Sequence, residues 1–227
     1  MKSTREIAAM EGPGSVRGDK AEPLALRIGF WACTAIAVAV VARRLLALAF
    51  PPRSGPAPLA ALDTVFASHA ALTLAHILPA LLFVAVAPFA LMRRQAAWAE
   101  RAIYPLGAIV GATAYAMSGF AVGGWVERAA VLVFNTWFLV SLLAAYRFRR
   151  SGDDESSRRW LVRAVVVLLG IATTRPVMGV FFAISAATTH WTPQQFFGYA
   201  FWIGFSINAL VVELWLRSAA RKRLRGA

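Results

Sequence analysis

The sequence predicts an all-α membrane protein, a polytopic bundle of six transmembrane helices with both termini in the cytoplasm. Three observations support this prediction. The 227-residue chain is 59% hydrophobic and only 15% charged, which is too apolar for an ordinary water-soluble domain. Six apolar stretches reach the roughly 20 residues that a spanning helix needs. The loops between them are alternately rich and poor in arginine, as expected when every second loop faces the cytoplasm.

The predicted spans follow one another closely, so no soluble domain fits between them. In chain order they are Ile28–Phe50, Ser68–Met92, Ala102–Val122, Val126–Phe148, Leu161–Ile184 and Phe196–Leu216. Together they form one transmembrane domain at residues 27–217. Residues 1–26 mix charged and small residues without periodicity and are predicted to be a disordered cytoplasmic tail. Residues 218–227 are predicted to be a basic cytoplasmic tail.

Two connections have a distinctive composition. The segment Pro51–Phe66 contains four prolines, which fix backbone angles and remove hydrogen-bond donors, so it is predicted to be a turn-rich crossover. The segment Asp153–Ser157 is predicted to be a short acidic linker within a basic loop. Just before the first connection, Arg43 and Arg44 interrupt the first span. Their long side chains are expected to reach the outer membrane surface.

The distribution of Lys and Arg sets the predicted orientation. Nineteen of the 24 fall on one side: five through Arg27, three in Arg93–Arg101, six in Arg147–Arg163 and five from Arg217 onward. The other side has four, which are Arg43, Arg44, Arg53 and Arg128, and Arg175 remains within the membrane. Because cytoplasmic loops carry the excess of positive charge, both termini are predicted to be cytoplasmic and the number of spans to be even.

The composition also excludes several classes of function. The formal net charge of +13 comes from residues that flank apolar spans, so anionic headgroups at the cytoplasmic face are the expected partner and nucleic acid is not. The single cysteine, Cys33, has no partner for a disulfide. The chain contains no G-x-S-x-G, H-E-x-x-H, C-x-x-C, phosphate-binding loop or dinucleotide fingerprint. No catalytic residue or metal site is therefore predicted, and an enzyme is not favoured.

Arg175 is the most informative polar residue. It lies deep in the fifth predicted span, after Thr173 and Thr174 and before Pro176. A guanidinium there costs at least about 2.5 kcal/mol on insertion scales, so it should face the bundle interior and find acceptors. The proline frees a backbone carbonyl and can kink the helix. Two interpretations remain open: Arg175 ties helices together through carbonyls, or it binds an anion or a lipid headgroup.

The histidines supply an alternative hypothesis. His76 lies in the second span, and His69, seven residues earlier, lies on roughly the same helical face about 10 Å away, too far to share one metal ion. His190 falls in an outer loop, at the wrong depth to pair with His76 as a haem ligand. We expect His76 either to form an interhelical hydrogen bond or to serve a proton relay or a haem. The sequence requires no cofactor.

Three further polar residues lie at membrane depth or near the end of a span. Asn135 in the fourth span and Asn208 in the sixth can hold helices together by hydrogen bonding. Glu213 is expected to contact Arg217 at i,i+4 spacing, and it could be the counter-ion of Arg175 only if the fifth helix bends. The candidate intramembrane polar site therefore comprises His76, Asn135, Arg175, Asn208 and Glu213.

Four sequence features follow one another in a characteristic order from the second span onward. They are His76-Ile77 leading to Pro88-Phe89, the segment Arg158–Arg163, the downstream Arg175, and the segment Asn208–Glu213. In this order they resemble a family of bacterial membrane proteins called domain of unknown function 2306, over about two-thirds to three-quarters of the chain. The resemblance implies a polytopic architecture and no established activity.

The chain departs from that family at two histidine motifs. Family members usually carry a histidine before the Arg-Arg-Trp motif, where this chain has Ser157. They also tend to have a His-Arg-x-x-Gly-Arg-x-Tyr segment, of which Ala97–Tyr104 keeps only the tyrosine. If those histidines bind a metal or cofactor in relatives, two of the ligands are missing here.

The sequence predicts a non-enzymatic or auxiliary protein of the bacterial inner membrane. Its polar layer around Arg175 is expected to bind a small anionic or lipid-like ligand. Three alternatives remain: a haem- or redox-linked protein that uses His76, a small-molecule transporter, and an adapter that acts through its basic cytoplasmic loops. The lack of an intramembrane acidic pair and of internal repeats ranks transport lower. The sequence leaves open whether the chain forms a homo-oligomer or has another membrane partner.

Overall fold

The computed structural model describes residues 24–50, 57–92, 97–189 and 191–224, which form a bundle of helices. In chain order these are α1 (Leu24–Ala49), α2 (Ala57–Ser68), α3 (Ala70–Met92), α4 (Ala97–Ser118), α5 (Gly124–Arg150), α6 (Asp154–Leu168), α7 (Gly170–Ile184) with a π-helical turn (Ser185–Thr189), and α8 (Pro193–Leu224). No strand occurs in these ranges. The predicted all-α class is therefore confirmed.

The predicted tails fall only partly within these ranges. Residues 24–26 begin α1, and residues 218–224 continue α8 as helix. Residues 1–23 and 225–227, like Arg53 in the first connection, lie outside the described residues.

Five described helical segments are long and apolar enough to cross a membrane. They are α1, α3, α5, the largely helical run from Asp154 to Thr188, and α8 through Arg221. The third predicted span, Ala102–Val122, corresponds to α4 and is not among these five. This helix has 22 residues, but Glu100 and Arg101 near its start leave too short an apolar stretch behind them. The structure thus supports a membrane protein with five clear candidate spans.

The prediction of a turn-rich crossover at Pro51–Phe66 is wrong for its second half, which forms α2 from Ala57. Pro58 occupies the second position of this helix, where the missing amide hydrogen costs nothing because the first four amides of a helix have no intrahelical partner. The break between α2 and α3 falls at His69. Thr73 accommodates it by donating its hydroxyl to the carbonyl of Phe66 at 3.1 Å. Residues 51–56 lie outside the described part of the chain.

The predicted fifth span is also interrupted. The helix starts at Asp154, so the expected acidic linker is instead the first turn of α6. Asp153 caps this turn, accepting a hydrogen bond from the Ser156 amide at 2.9 Å, which Asp favours at this position. The helical pattern breaks at Leu169, next to Gly170. A Cβ at Gly170 would lie 2.6 Å from the ring of Phe205, so the glycine permits close contact with α8.

Close helix contacts place the core along α5, which packs against α4, α6 and α8. Gly107 and Gly111 of α4 form a G-x-x-x-G face against α5, and a Cβ at Gly107 would lie 2.6 Å from Leu142. Glycines at this spacing let membrane helices approach closely. At the edge of the bundle, α1 buries only Ala37. It contacts α3 and α7 and so closes one side of the interior.

Candidate functional site

A cavity of about 240 Å³ lies in one half of the bundle. This half contains the C-terminal part of α1, the α4–α5 connection and the N-terminal part of α8. We call it the Arg175 cavity, and every helix of the bundle contributes to its lining. Most of the lining is apolar, including Val41, Phe66, Ile77, Phe134, Phe138 and Phe201. The volume is just below the about 300–1,000 Å³ of typical small-molecule pockets, so the cavity suits a small ligand or one chain of a larger one.

Eight polar side chains interrupt this apolar lining. They are Arg44, His69, Thr73, His76, Ser118, Glu127, Asn135 and Arg175. Three of the five site residues predicted from the sequence, His76, Asn135 and Arg175, are thus brought to one cavity. Asn208 and Glu213 do not line it.

Arg175 extends from the middle of α7 into the cavity without a carboxylate partner. Its Nη1 atom lies 3.7 Å from the sulfur of Met178, which is a weak acceptor. Its Nε atom is buried and has no hydrogen-bond partner among the described residues. A guanidinium has five N–H donors, and a buried donor left unpaired costs about 1–3 kcal/mol. The side chain therefore retains donors that a ligand can satisfy.

Attraction from Glu127 stabilises the positive charge of Arg175, whereas repulsion from Arg44 and Arg43 destabilises it. The carboxylate of Glu127 is buried at 8% exposure, yet it is held away from the guanidinium. Its Oε2 atom accepts a hydrogen bond from the Gly123 amide at 2.7 Å, at the start of α5. Glu127 thus satisfies a helix terminus and offsets Arg175 only through space.

Arg43 and Arg44 both pair with Asp63. Arg44 is turned into the bundle and lines the cavity instead of extending to the surface as expected, whereas the side chain of Arg43 remains half exposed. The Nη2 atom of Arg43 lies 3.0 Å from Oδ2 of Asp63, and Nη1 of Arg44 lies 2.5 Å from Oδ1. The guanidinium of Arg44 also lies 3.9 Å from the centroid of the Phe66 ring, a cation–π contact. These contacts hold α2 against α1 beside the cavity, because the Asp63 carboxylate and the Phe66 ring lie within contact distance of the cations on α1.

His76 and Asn135 face the cavity and also connect helices. The Nδ1 atom of His76 lies 3.0 Å from the hydroxyl of Thr113, linking α3 to α4. The amide of Asn135 donates to the carbonyl of Gly111 at 2.9 Å, linking α5 to α4. Both side chains therefore have a structural contact, and both remain at the wall of the cavity where a ligand can contact them.

Asn208 and Glu213 hold α8 to its neighbours. Asn208 donates to the carbonyl of Val166 at 2.8 Å and accepts a hydrogen bond from Thr173 at 2.7 Å. Glu213 accepts from Arg163 at 2.5 and 3.3 Å. The expected contact of Glu213 with Arg217 on the same helix is therefore replaced by an interhelical ion pair. This pairing also removes Glu213 as the counter-ion of Arg175.

The structure offers no multidentate metal site among the residues that it describes, since no group of three or more His, Cys, Asp or Glu side chains is close enough to hold an ion. His69 lines the cavity with its ring stacked on Phe120, 3.7 Å between ring centroids. His190, weighed above as a haem ligand, lies outside the described ranges.

Sequence reasoning missed Asp63, Glu127 and the inward orientation of Arg44. The sequence does contain a signal that Asp63 is an ion-pair partner. It is the only carboxylate between Glu22 and Glu100, and the two arginines that interrupt the first predicted span precede it. Glu127 is the second residue of a predicted span, where it resembles an exposed interfacial acid. Only the helix packing shows that it faces inward.

Comparisons with family models, with curated proteins and with solved structures found no match for this chain. The geometry of the Arg175 cavity and the charge pattern of the sequence therefore carry the functional conclusion.

Proposed function

We propose that this chain is a multi-pass protein of the bacterial inner membrane that binds a small anionic or lipid-like ligand in the Arg175 cavity. In this proposal it crosses the membrane six times, with both termini in the cytoplasm. It acts by binding, without catalysing a reaction on its own.

The topology rests on the charge pattern and on α4. The side predicted to be cytoplasmic holds nineteen of the 24 Lys and Arg, which is the arrangement that fixes orientation in membrane proteins. α4 is 22 residues long, or about 33 Å at 1.5 Å per residue, close to the roughly 30 Å of a bilayer core. It packs against both α3 and α5. Two short connections join it to these spanning helices, so it serves as the sixth span.

The observation that carries ligand binding is a buried arginine that lines an apolar cavity and has an Nε donor without a hydrogen-bond partner among the described residues. An arginine placed in a bilayer costs several kcal/mol unless it finds partners, and the described residues supply only a thioether and a distant carboxylate. A bound anion would supply the missing acceptors. The apolar lining around it favours a ligand with hydrocarbon as well as a charge.

Membership of the family called domain of unknown function 2306 is part of the same proposal. Two segments that carry the resemblance contact each other, because Arg163 pairs with Glu213. Asn208, in the same segment as Glu213, bonds to Thr173, which lies two residues before Arg175, the third feature. These contacts give the resembling residues a shared structural role.

Native mass spectrometry of protein purified in one uncharged detergent tests the proposal. The wild type is compared with Arg175→Gln and with the control Arg159→Gln, which breaks only an exposed pair with Glu155. We expect the wild type and the control to retain a bound small molecule or lipid that Arg175→Gln has lost. Equal retention of the same species by all three proteins would contradict the proposed site.

A further inference from the structure

The charges around the Arg175 cavity define the class of ligand more closely. Resting on the proposed function, we infer that the ligand is an amphiphile with a single negative charge, its acidic group at Arg175 and its hydrocarbon against the aromatic and aliphatic lining. A free fatty acid and an anionic phospholipid share this chemistry.

The pairing of the charges carries the inference. Three charged side chains of the described ranges line the Arg175 cavity: Arg44, Glu127 and Arg175. Arg44 pairs with Asp63, and Arg43, which shares that carboxylate, is half exposed. Arg175 has no ion-pair partner among the described residues. An unpaired cation in a low-dielectric interior is unfavourable, and one negative charge on a ligand would pair with it.

The two nearby carboxylates have other partners, which leaves Arg175 without one. Both oxygens of Asp63 accept hydrogen bonds from Arg43 and Arg44, and Glu127 accepts one from the Gly123 amide. No hydrogen bond from Arg175 to either carboxylate is found among the described residues. The acidic group of a ligand therefore has no competing carboxylate there at the Arg175 guanidinium.

Arg128 does not line the cavity and has acceptors of its own. Its side chain donates to the carbonyls of Ser118 at 2.9 Å and Gly119 at 3.1 Å, where it offsets the C-terminal end of α4. Arg128 therefore does not change the charge pairing at the cavity wall.

The apolar part of the ligand follows from the lining. Phe134, Phe138, Phe197 and Phe201 line the cavity together with several valines and isoleucines. Such a surface offers a hydrocarbon chain dispersion contacts and removal from water. It offers a small inorganic anion no compensation for its lost hydration, so phosphate or sulfate alone should bind poorly.

Matched probes of equal chain length test the inference. Delipidated protein in an uncharged detergent is titrated with dodecanoate, dodecanol, dodecyltrimethylammonium and dodecyl phosphate, and binding is followed by native mass spectrometry and by the shift in melting temperature. We expect dodecanoate to bind at least tenfold more tightly than dodecanol, dodecyltrimethylammonium or dianionic dodecyl phosphate. Arg175→Gln should remove the preference for dodecanoate over dodecanol, and Arg159→Gln should keep it.

A second variant tests the role of charge at the cavity wall. Glu127→Gln keeps an oxygen that can accept from the Gly123 amide but removes the one carboxylate that lines the cavity among the described residues, so the lining becomes more positive. We expect this variant to bind dodecyl phosphate several-fold more tightly than the wild type does. An unchanged affinity for dodecyl phosphate would overturn the single-charge inference.

The outcomes separate the inference from the proposed function. If dodecanol binds as tightly as dodecanoate, or if dodecyl phosphate binds most tightly to the wild type, the single-charge inference is wrong while a cavity ligand stands. If no amphiphile binds and none co-purifies, the proposed function fails as well. A parallel titration with dioctanoyl phosphatidylglycerol identifies the source: tighter binding than dodecanoate indicates a lipid headgroup, and weaker binding a free acid. Either result supports the shared chemistry.

Discussion

Where α5 joins α6, arginines face carboxylates on neighbouring helices, whereas at the Arg175 cavity an arginine has no such partner among the described residues. Arg149 contacts Glu100 of α4 at 2.8 Å and also pairs with Asp154. Deeper in the same half, Arg163 forms two hydrogen bonds with Glu213. In the other half Arg43 and Arg44 share Asp63, and Arg175 has no ion-pair partner among the described residues.

The difference separates two uses of arginine in one bundle. A cation with a matched carboxylate on another helix fixes the relative position of the two helices. A cation without a matched carboxylate retains hydrogen-bond donors and a buried, unpaired charge. An added anion would satisfy both. Substitution of a paired charge should therefore lower stability, whereas substitution of Arg175 should weaken ligand binding with little effect on stability.

The largest effect is expected from Arg163→Ala. Glu213, about one-fifth exposed, would lose both hydrogen bonds, and Trp160 would lose a cation at 4.5 Å from its ring. We expect the free energy of unfolding in detergent to fall by about 1–3 kcal/mol. Adding Glu213→Ala should recover part of this loss. The exposed control Arg159→Ala should change little, and equal stability of Arg163→Ala and this control would remove the structural role of the pair.

A smaller loss is expected from Asp63→Asn, which leaves Arg44 beside a neutral amide although its side chain is only 13% exposed. An asparagine oxygen can still accept one hydrogen bond, so we expect a loss of about 1–2 kcal/mol. Asp154→Asn is the matched control because that aspartate is 73% exposed. If Asp63→Asn and Asp154→Asn unfold at the same temperature, Asp63 does not hold α2 to α1.

Arg175→Gln is expected to change the stability of delipidated protein by no more than about 1 kcal/mol, in either direction, because it breaks no ion pair and removes the cost of a desolvated charge. This result distinguishes the two interpretations that the sequence leaves open. A loss as large as that of Arg163→Ala, measured in the same denaturation series, would show that Arg175 is a structural tie.

The smallest effect concerns pH and Asp153, far from the cavity. The hydrogen bond from the Ser156 amide lowers the pKa of this carboxyl below its ordinary value. A carboxyl with a lowered pKa in the folded state contributes stability above its unfolded pKa, and this contribution is lost as pH falls through the folded pKa. Asp153→Ser keeps a capping oxygen but does not titrate.

The difference in melting temperature between wild type and Asp153→Ser should therefore shrink from about pH 5 to about pH 2. A difference that stays constant across this range would show that the cap does not depend on the charge of Asp153.

The sequence predicted the all-helical class, because apolar length is visible along the chain. It also named His76, Asn135 and Arg175, which line one cavity in the structure, because polar residues within apolar stretches are visible in the same way. It could not predict that α2 is helical, since prolines signal turns while the permissive position of Pro58 depends on where the helix starts. It also missed the break at Leu169, where Gly170 meets Phe205 across helices.

The partners of the charged residues were the hardest feature to predict. Glu213 lies four residues before Arg217, which favours a contact within one helix, but the packing of α6 on α8 brings Arg163 closer. Asp63 and Glu127 lie near the ends of predicted spans, where an acid is usually exposed to water. Which side of the helix each occupies depends on tertiary packing and cannot be read from spacing alone.

The most direct test of the central claim is the dissociation constant of dodecanoate for wild type, Arg175→Gln and Arg159→Gln in the same uncharged detergent. The Arg175 cavity predicts at least tenfold weaker binding to Arg175→Gln and unchanged binding to Arg159→Gln. Equal affinity of all three proteins for dodecanoate would contradict it.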